Sequence, residues 1–201
     1  MTEPGSIFNL RDYEKRDFIS LFNLDRLCFE PGIAYSRPEL ASFIEQRPAA
    51  TIVAEWNLPG EESSATDGLR PEDPEAAAKP AAARTASGSR PGAERPPIAR
   101  PPIARPPIAG FVTLHFHRQG YGHIITIDVH PDARRHRLGT LLINAVCERL
   151  RKMTAFMVVL EVAVNNHSAL AFYDKLGFKR VKVLERYYSR DLDAIFMTKR
   201  L

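Results

Sequence analysis

The run IITIDVHPDARRHRLGTLLINAVCERL, residues 124–150, decides how the chain folds. Its first six residues form an apolar strand. Pro131 ends it, because proline has no N–H and biases His130 away from helical backbone. A basic run, Arg134-Arg135-His136-Arg137, leads into Leu138-Gly139-Thr140. Beyond it Leu138, Leu141, Leu142, Ala145, Val146, Leu150 and Met153 recur at helical spacing, which predicts a helix over 138–153. A strand entering a helix through a basic turn leaves the first helical N–H groups unpaired at the positive end of the helix dipole. Such a turn is an anion site, best suited to phosphate.

The flanking sequence supplies the rest of a mixed sheet. Upstream, 110–117 and 121–129 read as strands joined by the turn Arg118-Gln119-Gly120. Downstream, Met157 to Ala163 is rich in β-branched residues and reads as a buried strand. Ser168 to Leu176 is a short helix stopped by Gly177. Phe178 to Leu184 and Ala194 to Lys199 are closing strands, with Tyr187-Tyr188-Ser189-Arg190 between them. At the other end, 6–11 is a short strand. Asp12 is placed to cap a helix reaching Phe29, Cys28 to Ser36 is a turn-rich loop, and Ser36 caps a helix over 37–46. Thr51 to Trp56 is a further strand.

Composition bounds the function. With 201 residues, 44% of them hydrophobic, the chain holds one domain of ordinary size. The net charge of +4 is compatible with an anionic ligand and does not demand nucleic acid. The two cysteines, Cys28 and Cys147, sit in apolar helical patterns without metal-ligand spacing, as in a reducing compartment. His115, His117, His123 and His130 have no acidic or cysteine partner at metal spacing, so no metal is expected. Neither a signal-type apolar region nor an 18-residue apolar run is present. The expectation is a cytoplasmic protein without a membrane partner.

Residues 57–108 differ from the rest. They hold 11 of the 16 prolines and close on three Arg-Pro-Pro-Ile-Ala repeats starting at Arg95, Arg100 and Arg105. Such a segment buries too little apolar surface to offset its ordering entropy. It is expected as a disordered insertion between two strands of one domain, with polyproline II character near its end. The other reading is a docking motif for a proline-recognising partner.

Glu161 stands in an otherwise apolar strand, where a carboxylate is costly unless it faces a cleft or a partner. Asn165 and Asn166 follow the strand end, and Tyr173 lies on the short helix twelve positions after Glu161. The turn Arg134-Arg135-His136-Arg137-Leu138-Gly139 resembles the acyl-CoA-binding motif of the GNAT N-acetyltransferases, Arg/Gln-x-x-Gly-x-Gly/Ala, with Arg137 where the pattern has its first glycine. The run from Asn166 through Ala169, Tyr173, Lys175, Gly177 and Phe178 resembles the second signature of that family. Arg186-Tyr187-Tyr188, Asp193 to Met197 and, more loosely, Cys28-Phe29-Glu30-Pro31 are similar to its RimI-type branch, which acetylates ribosomal-protein alanines and other protein N-termini. The resemblance covers residues 6–56 and 109–201 and has no counterpart for the insert.

The resemblance implies an α/β (α+β) GNAT fold. Its central sheet of about seven mostly antiparallel strands has strands 4 and 5 splayed, and about four helices flank it. It implies acetyl-CoA as co-substrate and a protein or peptide N-terminus, such as that of a ribosomal protein, as acceptor. Backbone groups of Ile127, Asp128 and Val129 would pair with the pantetheine arm. Arg134 and the amides of Arg135, His136, Arg137, Leu138, Gly139 and Thr140 would hold the pyrophosphate, and Asn166 the cofactor arm. The residue matching Glu161 is the general base in that branch, and the one matching Tyr173 the general acid. The acceptor would meet the loops 29–36 and 185–191, with contacts from Phe29, Tyr35, Tyr187 and Tyr188. The chemistry suits such groups. An α-amine, with a pKa of about 8, must lose a proton to attack a thioester, and the departing thiolate needs one. Other expectations weighed are a lysine or small-amine acetyltransferase, and a non-catalytic acyl-CoA-binding scaffold recruited through the proline repeat.

Overall fold

The computed structural model describes residues 7–29, 33–57, 108–189 and 191–201. Among them, seven strands make one sheet: β1 (Phe8–Asp12), β2 (Ala49–Trp56), β3 (Ile108–His117), β4 (Tyr121–Val129), β5 (Met157–Ala163), β6 (Lys179–Ser189) and β7 (Leu192–Arg200). The spatial order is β1-β2-β3-β4-β5-β7-β6. Every neighbouring pair is antiparallel except β4 and β5, which run parallel. The helices are α1 (Phe18–Cys28), α2 (Arg37–Glu45), α3 (Leu138–Lys152) and α4 (His167–Lys175). This is the fold the resemblance implied. The proline-rich segment lies outside the described residues apart from its two ends. Those ends adjoin, since Glu55 of β2 pairs with Ile108 of β3.

Each face of the sheet carries a core. On one, α3 buries Leu138, Leu142, Ile143, Val146 and Leu150 against Val112, Leu114, Val158, Leu160 and Met197. The buried positions follow the helical period read from the sequence. Gly122 lets α3 come this close, because a Cβ there would lie 2.4 Å from the Leu150 side chain. On the other face Leu21 and Leu24 of α1 and Leu40 and Ile44 of α2 cover Val53 and Phe111. Ser36 caps α2 with a reciprocal Glu39 bond, as its sequence predicts.

Two boundaries differ from the sequence reading. Asp12 does not cap α1; it ends β1 opposite Ile52. A 3-10 turn at Lys15–Asp17, boxed by Glu14 and Asp17, precedes the helix. The reason is Arg11, whose guanidinium grips buried Asp17 at 2.6 and 2.8 Å and draws the chain into that turn. Tyr187 and Tyr188 lie within β6 rather than between the closing strands, since β6 extends to Ser189.

The parallel junction positions the site. β4 and β5 pair only at Tyr121–Met157, Gly122–Val158 and His123–Val159. Thr126 faces Thr113 and Ile124 faces Leu114, so Ile125 is an extra residue in β4. A bulge of this kind bends its strand. From there β4 stays on β3 through Val129 while β5 stays on β7 through Ala163. The facing edges of 124–129 and 160–163 are left without each other as ladder partners; the carbonyls of Ile125, Val129 and Glu161 accept side-chain donors instead, and the other groups along the gap have no partner across it.

Candidate active site

A cavity of about 420 Å³ fills the gap between the parted strands. Ile124–Ile127 line it from β4 and Leu160–Ala163 from β5, joined by Asn165, Asn166 and Tyr173 from α4 and the turn before it, and by Cys28, Phe29, Ile33, Tyr35 and Tyr188. Residues the sequence separates by more than a hundred positions thus share one lining. Glu161, Tyr173, Asn166, Phe29, Tyr35, Tyr188 and Ile127 from the sequence reading all border it; Tyr187, Val129 and the turn 134–140 are not part of it.

Glu161 has a partner that the sequence did not supply. His123 Nε2 lies 2.6 Å from Glu161 Oε2, bridging β4 and β5 where their pairing ends. The Glu161 side chain is only 12% exposed. A charged or proton-sharing contact accounts for a carboxylate in an apolar strand. His123 is the last residue of β4 paired with β5, opposite Val159, and only that cross-strand register brings its side chain within reach of Glu161. Tyr188 donates its hydroxyl to the Glu161 carbonyl at 3.1 Å, which ties β6 to the same point.

Tyr173 is 5% exposed, its ring held edge-on between Phe172 and Phe178 at centroid distances of 5.1 and 5.3 Å. Burial raises its phenol well above the usual value, and Tyr188 and Asp128 add to that. Burial raises the phenols of Tyr35 and Tyr188 too, and that of Tyr187 to about 12. The cavity is therefore bordered by hydroxyls that keep their protons at neutral pH and act as donors. Tyr187 stacks edge-on against Tyr188 at 5.0 Å and is 47% exposed. Tyr35 donates its hydroxyl to the carbonyl of bulge residue Ile125 at 3.3 Å.

The basic turn is built from backbone conformation. Pro131–Ala133 form a 3-10 turn, and Arg135 and Arg137 take left-handed φ values of 68° and 61°. Arg137 is the N-terminal cap position of α3, and no side chain caps the helix there. The first helical amides are thus left for an anion. Left-handed backbone is what glycine adopts freely, which explains a glycine at this point in the family pattern. The side chains of Arg134, Arg135, His136 and Arg137 are exposed, and Arg134 Nε donates to the Val129 carbonyl at 3.3 Å. A Cβ on Gly139 would lie 3.1 Å from the Phe172 ring, so α3 and α4 meet closely beside the turn. Asn166 caps α4, its Oδ1 accepting the Ala169 amide at 3.0 Å, which leaves its Nδ2 for a ligand. Burial raises the Cys28 thiol to about 11 and also raises Cys147, so neither is an activated nucleophile. No three metal-binding side chains converge, and no helix is long and apolar enough to cross a membrane, among the described residues.

A mixed sheet parted between two parallel strands, with an open helix N-terminus at the end of one of them, defines the GNAT class of fold. Residues 94–178 match the model of the acetyltransferase (GNAT) family. An N-alpha-acetyltransferase of Saccharolobus solfataricus is 40% identical over 81 residues, which is 40% of this chain and 48% of that protein. The chain spans about half the length of the curated relatives it matches. Among solved structures, the ribosomal-protein-S18-alanine N-acetyltransferase of Escherichia coli superposes with a TM-score of 0.66 at 18% identity, covering 96% of this chain and 93% of that one. A NatC complex bound to Gag peptide and CoA gives 0.63 at 21%, covering 96% and 98%. Over residues 94–178 the chain is thus similar to the GNAT family, and its described residues adopt that fold.

Proposed function

We propose that the protein is an acetyl-CoA-dependent acetyltransferase acting on the N-terminal α-amine of a protein or peptide. One observation carries this reading: the cavity between the parted β4 and β5 is lined by Glu161, hydrogen-bonded to His123, and by a buried phenol, Tyr173 of α4. Relatives named N-alpha-acetyltransferase support it.

The open edge of Ile127 to Val129 suits the amide-bearing arm of acetyl-CoA, and the amides of Arg135 to Thr140 suit its diphosphate. Asn166 Nδ2 is the side-chain donor for the same arm. In this reading the Val129 N–H polarises the thioester carbonyl as negative charge develops there. Glu161 takes a proton from the attacking amine, directly or through one water, and His123 orients and shares it. The amine nitrogen then forms its bond to the carbonyl carbon as the carbon–sulfur bond breaks. Tyr173 donates its proton to the departing sulfur. The acceptor chain enters between Phe29 and Tyr35 on one side and Tyr187 and Tyr188 on the other. A ribosomal protein is one candidate, by likeness to the S18-alanine enzyme.

The test is acetyl-CoA with N-terminal peptides, peptides with a blocked terminus and an internal lysine, and polyamines, read by mass spectrometry. Acetyl on the α-amine alone is expected. Transfer only to lysine or polyamine, or to nothing while coenzyme A still binds, would overturn the assignment.

A further inference from the structure

Two carboxylates lie in the interior outside the catalytic couple. Asp25 of α1 and Asp128 of β4 are both at 0% exposure. Asp25 Oδ2 accepts the Tyr35 backbone N–H at 2.8 Å, and Asp128 Oδ2 accepts the Thr126 hydroxyl at 2.8 Å. Their other oxygens, Asp25 Oδ1 and Asp128 Oδ1, have no hydrogen-bond partner among the described residues. A buried oxygen without a donor is costly. Asp128 pairs with Phe111, which Leu21 and Leu24 of α1 cover, and Cys28, one turn after Asp25, donates to the Val129 carbonyl at 3.4 Å. Both acids therefore sit in the interface between α1 and β4, where two buried carboxylates cannot both stay ionised without a cation. Tyr35 is held at its other end as well, through its hydroxyl on the bulge carbonyl of Ile125 and its ring on Phe43 at 5.0 Å.

We propose that Asp25 and Asp128 hold one proton between them, and that Asp25 fixes Tyr35 over the parted strands. Asp25 is then a positioning residue for the acceptor, a role that rests on the function proposed above. Asp128, kept neutral, removes the like charge that would otherwise face it. The environment agrees in direction. Burial pushes Asp25 up to about 6, against the Tyr35 N–H, which pulls it down. Burial, then the nearness of Asp25, pushes Asp128 well above the carboxylate range, with the Thr126 hydroxyl opposing. Among the described residues, the other titratable groups facing the pair are the Cys28 thiol, the Tyr35 phenol and, through Asp128, Tyr173; Arg134 reaches Cys28 from the turn. Because Asp25 in the fold titrates above its ordinary 3.8, its contribution to stability is complete below that value and is lost as pH rises through about 6.

Hydrogen exchange at the Tyr35 amide and thermal melting, at about pH 5 and about pH 7.5, test this without relying on turnover. Asp25→Asn keeps the acceptor for Tyr35 and removes the charge, so the amide should stay protected. Both Asp25→Asn and Asp128→Asn should gain in melting temperature over the natural chain at the higher pH more than at the lower. Asp25→Ala should exchange the Tyr35 amide about tenfold faster or more. Its acceptor KM should rise by a similar factor, with the acetyl-CoA KM unchanged and rescue by Asp25→Asn. Unchanged protection in Asp25→Ala, or melting differences equal at both pH values, would overturn the proposal. If protection and melting behave as expected but the natural chain acetylates no amine, the function falls and the shared proton stands.

Discussion

At the scale of single residues, the site divides into groups acting through a proton and groups acting through the backbone. Tyr173 is of the first kind. The burial that raises its phenol also disfavours a charged thiolate in the same cavity, so donor and leaving group move together rather than apart. Tyr173→Phe should lower kcat by about 10²- to 10⁴-fold and leave the Kd for coenzyme A within about threefold, measured by steady-state kinetics and calorimetry. A kcat within twofold of the natural chain, about the scatter of such assays, would remove the acid role. Glu161→Gln should cost a similar factor, and His123→Ala should add little once Glu161 is gone, because the two act as one unit. Arg137 is of the second kind. Its φ of 61° costs about 1 kcal/mol or more for a residue with a Cβ. Arg137→Gly should therefore raise the melting temperature by a few degrees, set against glycine's greater freedom in the unfolded chain. If main-chain amides grip the diphosphate, the lost exposed charge should weaken coenzyme A binding by no more than about fivefold. A hundredfold loss would show that the guanidinium holds the ligand instead.

The elements show how a sheet makes a slot. β4 carries one residue more than β3 can match, and its departure from β5 follows. Gly110 of β3 guards this arrangement: a Cβ there would sit 2.6 Å from the Asp128 carbonyl of β4, and backbone yields less readily than a side-chain tip. Gly110→Ala should cost about 1–3 kcal/mol of stability, read by denaturant unfolding, and should weaken coenzyme A binding by moving the strand that carries Ile127 to Val129. The elements themselves were legible in the sequence because period and punctuation agree there. Pro131, the helical spacing from Leu138, Gly177 and the Ser36–Glu39 box each mark a boundary the structure keeps. The miss at Asp12 came from a long-range pull, Arg11 on Asp17, that no local pattern reports. The same limit hid His123. Its place opposite Val159, two residues short of Glu161, depends on the register of two strands joined by a 27-residue crossover, positions 130–156, and register is not written in either strand alone. Asp25 and Asp128 were hidden differently: an acid in a helix or strand reads as solvated until the neighbours that cover it are known.

For the molecule as a whole, the question is what the chain from 57 to 107 owes to the fold. β2 and β3 are adjacent, antiparallel and paired along seven positions from Ala49–His115 to Glu55–Ile108. Two strands so arranged need only a few connecting residues. Closing a long loop instead of a short one costs little more, since each doubling of length adds about 0.6 kcal/mol. Among the described residues, those on either side make the sheet, both cores and the cavity. We therefore propose that the proline-rich segment is an insertion into a single domain, and that replacing residues 59–104 with a short Gly/Asn-containing turn leaves that domain intact. The shortened chain should melt at the same temperature or slightly higher, bind coenzyme A with unchanged affinity, and acetylate a short N-terminal peptide at an unchanged kcat/KM. If the segment instead recruits a proline-recognising partner, peptide turnover is still unaffected, and only transfer to a folded protein substrate falls. Loss of folding or of coenzyme A binding on shortening would show that the segment belongs to the domain itself.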